Sequence, residues 1–349
     1  MRSTSQAMST PTASTKKNAI RPALALVVLS PVIGEVLGGS THFSVLFALI
    51  PEIMVWGCGA LLIREIARRR NLGGAALQLM GFALSLVEEF FVQQTSLAPL
   101  PWLPAQQYGR ALGVNWIYFL FMLGYESVWV VVVPVQLVEL IFGEQRSEPW
   151  LRTRGLIASV LLFLLGSWMA WYAWIRRMRP TVFHLPPYYP SPYAFLSGFL
   201  AILVLIVISL RLRSPVTVAK RSVPSPSVVG ATLVVLGVLW YGLLVLQFDW
   251  KPGLSFPPFW ISMIAGVLWG GFVFALVHRW SSAAGWSQMH RYSCVFAAIL
   301  VCMIGGLLGA STWLRIDQIA QAIFDLTAIV LMIRFGRALK KRVPEVTSA

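Results

Sequence analysis

Gly73-Gly-Ala-Ala-Leu-Gln-Leu-Met-Gly-Phe-Ala-Leu-Ser-Leu-Val-Glu88-Glu89-Phe-Phe-Val-Gln93-Gln-Thr95 decides the fold class. It is long and apolar enough to cross a bilayer as a helix, yet it carries two adjacent carboxylates. On a helix, Gln78, Gly81, Ser85, Glu89, Gln93 and Ser96 recur every three or four residues, and Glu88 lies about 100° around from Glu89. A carboxylate near the membrane centre costs ~2.5–3.5 kcal/mol, and that cost is usually met by a partner or a wet cavity. Two readings are open: the pair is a working site, or it pins helices together through hydrogen bonds.

The surrounding composition fits a membrane solvent. Of 349 residues, 57% are hydrophobic and only 12% charged, and apolar windows recur along the whole chain. This predicts an all-α, polytopic transmembrane helical bundle. The net charge of +15 does not point to nucleic acid, because the basic residues sit in short clusters between apolar spans. Cys58, Cys294 and Cys302 all fall inside expected spans, so no disulfide framework is indicated. The four histidines lack zinc-ligand spacing, and no cofactor or metal is expected. The expected partners are membrane lipids.

Residues 1–18 are rich in Ser and Thr and read as a disordered tail before a first helix that carries Glu35. About ten spans follow, near 20–39, 44–66, 73–95, 115–142, 155–176, 192–212, 228–248, 257–279, 292–312 and 317–335. The transmembrane domain thus covers 19–342, with sub-bundles 19–212 and 228–342 joined by a Ser-, Pro- and Lys-rich linker at 213–227. Most lysines and arginines fall on the side of the two tails, which places both termini in the cytoplasm of a bacterium and the protein in its inner membrane. Arg176, Arg177 and Arg179 dissent: either they bind lipid phosphates outside, or the count errs there. Two proline-rich, aromatic outer loops, 96–114 and 180–192, suit a cap over a cavity or an interfacial belt equally.

With that topology, Glu35, Glu52, Glu88, Glu89, Glu126 and Asp325 lie ~6–16 Å below the outer surface on five different helices. The economical expectation is a Glu-rich cavity open to the non-cytoplasmic side. Glu65 and Glu139 sit near cytoplasmic helix ends, and Glu65 has Arg69 one turn away for an ordinary ion pair. In the fourth span, Asn115, Tyr118, Met122, Tyr125, Glu126 and Trp129 share a face, and Pro134 should free the carbonyl of Val130. Gly266 and Gly270 have the spacing for close helix approach.

Glu88-Glu89 in an apolar helix, followed by phenylalanines, resembles the first motif, Glu-Glu-x-x-x-Arg, of the CAAX-protease and bacteriocin-processing (CPBP) family of intramembrane proteases. In that family a glutamate and histidines polarise water for attack on a peptide bond, so the resemblance implies Glu88 or Glu89 as catalytic base. The chain departs from the pattern. Gln93 stands at the arginine position, Phe121-Met-Leu-Gly-Tyr125 has tyrosine where the second motif has histidine, and no third motif is evident. The segments PEIMVWGCGALLIREIARRR, LSLVEEFFVQQ and VPVQLVEL also resemble a group of bacterial multi-pass proteins. Three functions are carried forward: a divergent or inactive glutamic intramembrane protease, a proton- or cation-coupled transporter, and a non-catalytic partner for a lipid or membrane protein. Whether the chain is an enzyme is left open. The cavity residues expected in each case are Glu35, Glu52, Gln93, Tyr125, Glu126 and Asp325.

Overall fold

A computed structural model describes residues 20–101, 108–212, 222–248, 257–310 and 313–342. The expected tail and most of the expected linker lie outside them. Among the described residues, ten helical rods follow one another. They are α1 (residues 20–36), α2 (Phe43–Arg69), α3 (Gly74–Val92), α4 (Trp116–Ile141), α5 (Thr153–Thr181), α6 (Pro192–Arg211), α7 (Pro226–Phe248), α8 (Phe259–Ser281), α9 (Gln288–Gly309) and α10 (Arg315–Arg342). Among the described residues, nine are long and apolar enough to cross a membrane, and α1 is shorter. The chain is therefore an all-α, multi-pass membrane protein. Its only described strands, β1 (Arg110–Ala111) and β2 (Val114–Asn115), pair Arg110 with Asn115 in a small antiparallel hairpin before α4.

The rods end where the sequence changes chemistry. Asn71 takes a left-handed φ of 54° after α2, and the Leu72 N–H turns back to the Ala67 carbonyl at 2.8 Å. Ser191 caps α6, accepting from the Ala194 N–H at 3.2 Å just ahead of Pro192.

α3 and α4 form the centre. α3 is the most buried span, packing on α4, α6, α2 and α5, while α4 also meets α1, α7, α8 and α9. Small residues set the close approaches, as expected where helices pack without a hydrophobic drive. A methyl on Gly81 would come within 3.0 Å of Ser127, and one on Gly57 would overlap the Val27 backbone. Gly266 likewise seats Leu120 and Leu244.

Pro134 acts as its position implies. It cannot donate to the Val130 carbonyl, and the Ser30 hydroxyl of α1 does so instead, at 2.7 Å. The preceding residues Glu126–Val132 are wound as a π-helix.

At one end, α2, α4 and the loop into α5 are stitched by arginines. Arg64 donates to Glu139 and Glu65 at 3.2 Å each, and to the Glu148 and Arg146 carbonyls at 2.7 Å. Its guanidinium lies 3.4 Å over the Trp150 ring. Arg68 grips Glu139 with two bonds of 2.6 and 2.7 Å, and Arg291 reaches both Glu139 and Gln136. The Glu65–Arg69 pair is present at 3.2 Å, but Glu65 is fully buried and also accepts from the Trp150 and Leu151 N–H groups. It is the hub of a junction rather than an interfacial pair.

Candidate functional site

Five of the predicted acids sit in or directly before irregular turns of their helices. Glu35 lies in the π-turn Val32–Val36, and Glu52 immediately precedes the π-turn Ile53–Gly57. Glu88 and Glu89 open the π-turn Glu88–Val92, and Glu126 opens Glu126–Val132. A π-turn inserts a residue into the helical ladder and re-aims the side chains around it, which is why such turns gather at functional sites.

Here they bring the acids of α3 and α4 together. One oxygen from each of Glu88, Glu89 and Glu126 lies within 4.8 Å of the others, and all three residues are buried. The charges of Glu89 and Glu35 act on Glu88, and those of Glu52 and Glu89 act on Glu35. Glu35 and Glu52 are partly buried, whereas the trio is closed. Glu52 accepts the Thr41 hydroxyl at 2.6 Å.

Within the trio the partners differ. Glu89 Oε2 accepts two hydroxyls, Thr95 at 2.8 Å and Ser96 at 2.5 Å, from the turn that follows α3. That turn starts at Gln94 (φ 60°) and is fixed by Asn115, whose amide donates to the Thr95 and Ala98 carbonyls at 2.7 Å each. Arg110 in turn holds the Asn115 side chain at 2.6 Å and the Leu97 carbonyl at 2.7 Å. Glu89 Oε1, Glu88 Oε1 and both oxygens of Glu126 are buried without a hydrogen-bond donor among the described residues. Ser85 stands beside Glu126 but gives its hydroxyl to the Met122 carbonyl at 3.2 Å. No ion pair reaches any of these acids among the described residues. Three bare carboxylates this close in a dry interior repel strongly, so a shared proton or a cation is what holds such a set together.

The remaining predicted residues lie apart from the trio. Tyr125 is buried among Phe121, Trp129 and Tyr241 and donates to the Gly34 carbonyl beside Cys302. It is a strut between α4 and α1. Asp325 accepts from Gln321 at 2.9 Å, and Gln321 also donates to the Leu37 carbonyl, so this acid ties α10 to the end of α1. Gln93 is half-buried, its backbone N–H bonded to the Glu88 carbonyl at 3.0 Å. Thr95 was missed by the periodicity, because it lies beyond the helix on a turn whose reversed backbone brings it back.

Of the three arginines that follow the fifth span, Arg179 does not turn out to lipid phosphates. It is buried and donates to the Pro99 and Pro186 carbonyls at 3.2 and 3.3 Å, clasping the two proline-rich loops together. No family model matches the chain, and no curated protein or solved structure matches it either.

Proposed function

We propose that this chain is a proton- or cation-coupled carrier of a bacterial inner membrane, with both termini cytoplasmic and Glu88, Glu89 and Glu126 as its exchange site. The observation that carries this reading is the trio itself: three carboxylates within 4.8 Å, buried, and free of any fixed counter-charge among the described residues. Such a site is favourable only when a proton or cation occupies it, so occupancy and helix arrangement are linked. Glu52 and Glu35, only partly buried, supply an approach to it. The π-turns of α3 and α4 offer a local means of rearrangement without unwinding either helix.

The protease reading keeps one supporting observation. Thr95 and Ser96 hold one oxygen of Glu89 and leave the other open, as a base that positions water requires. It lacks the partner base, because the side chain at the histidine position, Tyr125, is committed to Gly34.

The test is transport in vesicles carrying a luminal pH dye, with gradients of Na+, K+, Mg2+ and Mn2+ imposed in turn. One of these gradients is expected to drive a pH change in wild-type vesicles that Glu126→Gln and Glu89→Gln abolish. A wild-type trace matching empty vesicles for every gradient removes the carrier reading. Cleavage of co-reconstituted membrane peptides, lost in Glu89→Gln, establishes the protease in its place.

A further inference from the structure

α10, at 28 residues, is longer than a bilayer core requires. From Arg315 to Ile333 it already rises about 28 Å, close to the ~30 Å of a hydrocarbon core, so the turns that follow lie in a headgroup layer. Tyr292 of α9 fixes where they emerge. It stands next to Arg291 of the arginine junction, donates its hydroxyl to the Met332 carbonyl at 2.7 Å and packs against Gly336. The end of α10 therefore leaves the bundle beside that junction, and it carries Arg334, Arg337, Lys340, Lys341 and Arg342.

The two faces of this end differ. Met332, Gly336 and Leu339 are buried in the bundle, whereas all five cations are exposed. At about 100° per residue, Arg334, Arg337 and Lys341 fall on one strip opposite the buried face. Ile323, Val330 and Leu331, all exposed, continue that strip toward the membrane interior. Arg68 and Arg291 meet Glu139, but none of these five reaches a carboxylate among the described residues. The sequence holds no acid between Asp325 and Glu345. The helix's own dipole, about half a charge at its C-terminus, answers at most one of the five. A second copy docked on the same strip would set like charge against like charge. Headgroup phosphates lie at this depth, and an anionic leaflet attracts each Lys or Arg near its surface.

We infer that this strip of α10 holds an anionic phospholipid, with its phosphodiester on Arg334, Arg337 and Lys341 and its acyl chains along Val330 and Leu331. The headgroup is one without an amine, since an amine would compete with the protein's cations for the phosphate. The inference stands independently of what the glutamates carry.

The test is lipid retention by the full chain, purified from mixed micelles holding phosphatidylglycerol and phosphatidylethanolamine in equal amounts. Lipids that stay bound are extracted and counted by mass spectrometry. Phosphatidylglycerol should be retained in preference, and Arg334→Gln, Arg337→Gln and Lys341→Gln should each lower that preference about fivefold. Washing the wild-type protein with 1 M NaCl cuts the screening length from ~10 to ~3 Å and should abolish the preference with no change of sequence. A charge-matched control at the same end, Arg70→Gln with Arg152→Gln and Arg154→Gln, also removes exposed cations and should keep it. Equal retention of the two lipids, a preference that survives the salt wash, or an equal loss in the control overturns the assignment. So does a stable dimer that carries no phosphatidylglycerol, which would mean that a second copy covers the strip.

Discussion

Glu65 and Glu139 at one end of the bundle are buried as completely as Glu88, Glu89 and Glu126: 0% and 1% exposed, against 2%, 0% and 1%. Their surroundings are opposite. The first pair is met by Arg64, Arg68, Arg69 and Arg291, with backbone N–H groups taking further lone pairs. About 20 Å along α4, the trio has two hydroxyls and no cation among the described residues. Burial alone therefore says little about what an acid does. A carboxylate whose charge is matched within the fold is joinery. One whose charge is unmatched needs something from outside the fold, and that need is the mark of a site.

The contrast breaks most visibly at its balanced end. Arg64→Ala leaves Glu65 and Glu139 short of a counter-charge and the Glu148 and Arg146 carbonyls without this donor, and should cost about 3–5 kcal/mol. We expect loss of accumulation, or a lowered denaturation midpoint in detergent. The same kind of change at the unbalanced end should do the reverse. Glu126→Gln removes an unpartnered carboxylate while keeping its shape, so stability should hold or rise by up to ~1 kcal/mol, while the gradient-driven pH change expected of the proposed carrier is lost. A midpoint that falls as far in Glu126→Gln as in Arg64→Ala makes the trio structural and erases the distinction.

Much of this was legible before the fold was known, and the boundary is physical. Apolar length and intervening polar clusters locate ten rods, because a bilayer imposes both. The layer of acids follows from counting residues along those rods. Pro134 and Val130 follow from the missing N–H, although not that Ser30 would answer. Which acids meet is another matter, since it depends on helix rotation. A π-turn shifts the phase of all that follows, and nothing in the local sequence announces one. Tyr125 and Glu126 are neighbours on the chain, yet one braces α1 and the other joins Glu88 and Glu89. The arginine junction was equally hidden, because Glu139 finds Arg64 75 residues upstream and Arg291 152 residues downstream.

A smaller effect tests how the unbalanced region is aimed. Ser30→Ala leaves the Val130 carbonyl without its donor and should cost ~1–3 kcal/mol in the detergent midpoint. Pro134→Ala restores a backbone N–H at that point, so the double variant should recover much of the loss. Additive destabilisation in the double variant means that the serine bond and the proline are not compensating features, and that the π-turn at Glu126 has another cause.

The smallest expected effect bears on the charge of the trio itself. Thr95→Val and Ser96→Ala each remove one hydroxyl from Glu89 Oε2 with little change of shape. A hydrogen bond to a neutral carboxyl contributes about 0.5–1.5 kcal/mol, and one to a carboxylate about 1.5–3. The exchange-site reading holds Glu89 within a set that shares a proton when no cation is bound, so the loss per hydroxyl should fall in the lower range in the protonated site. If each variant instead costs as much as a charge-assisted bond at neutral pH without added cation, Glu89 is ionised and held by the turn alone. In that case the double variant should also weaken in step with rising pH, and the site is a fixed anion braced by hydroxyls, closer in kind to the arginine junction than its empty surroundings imply.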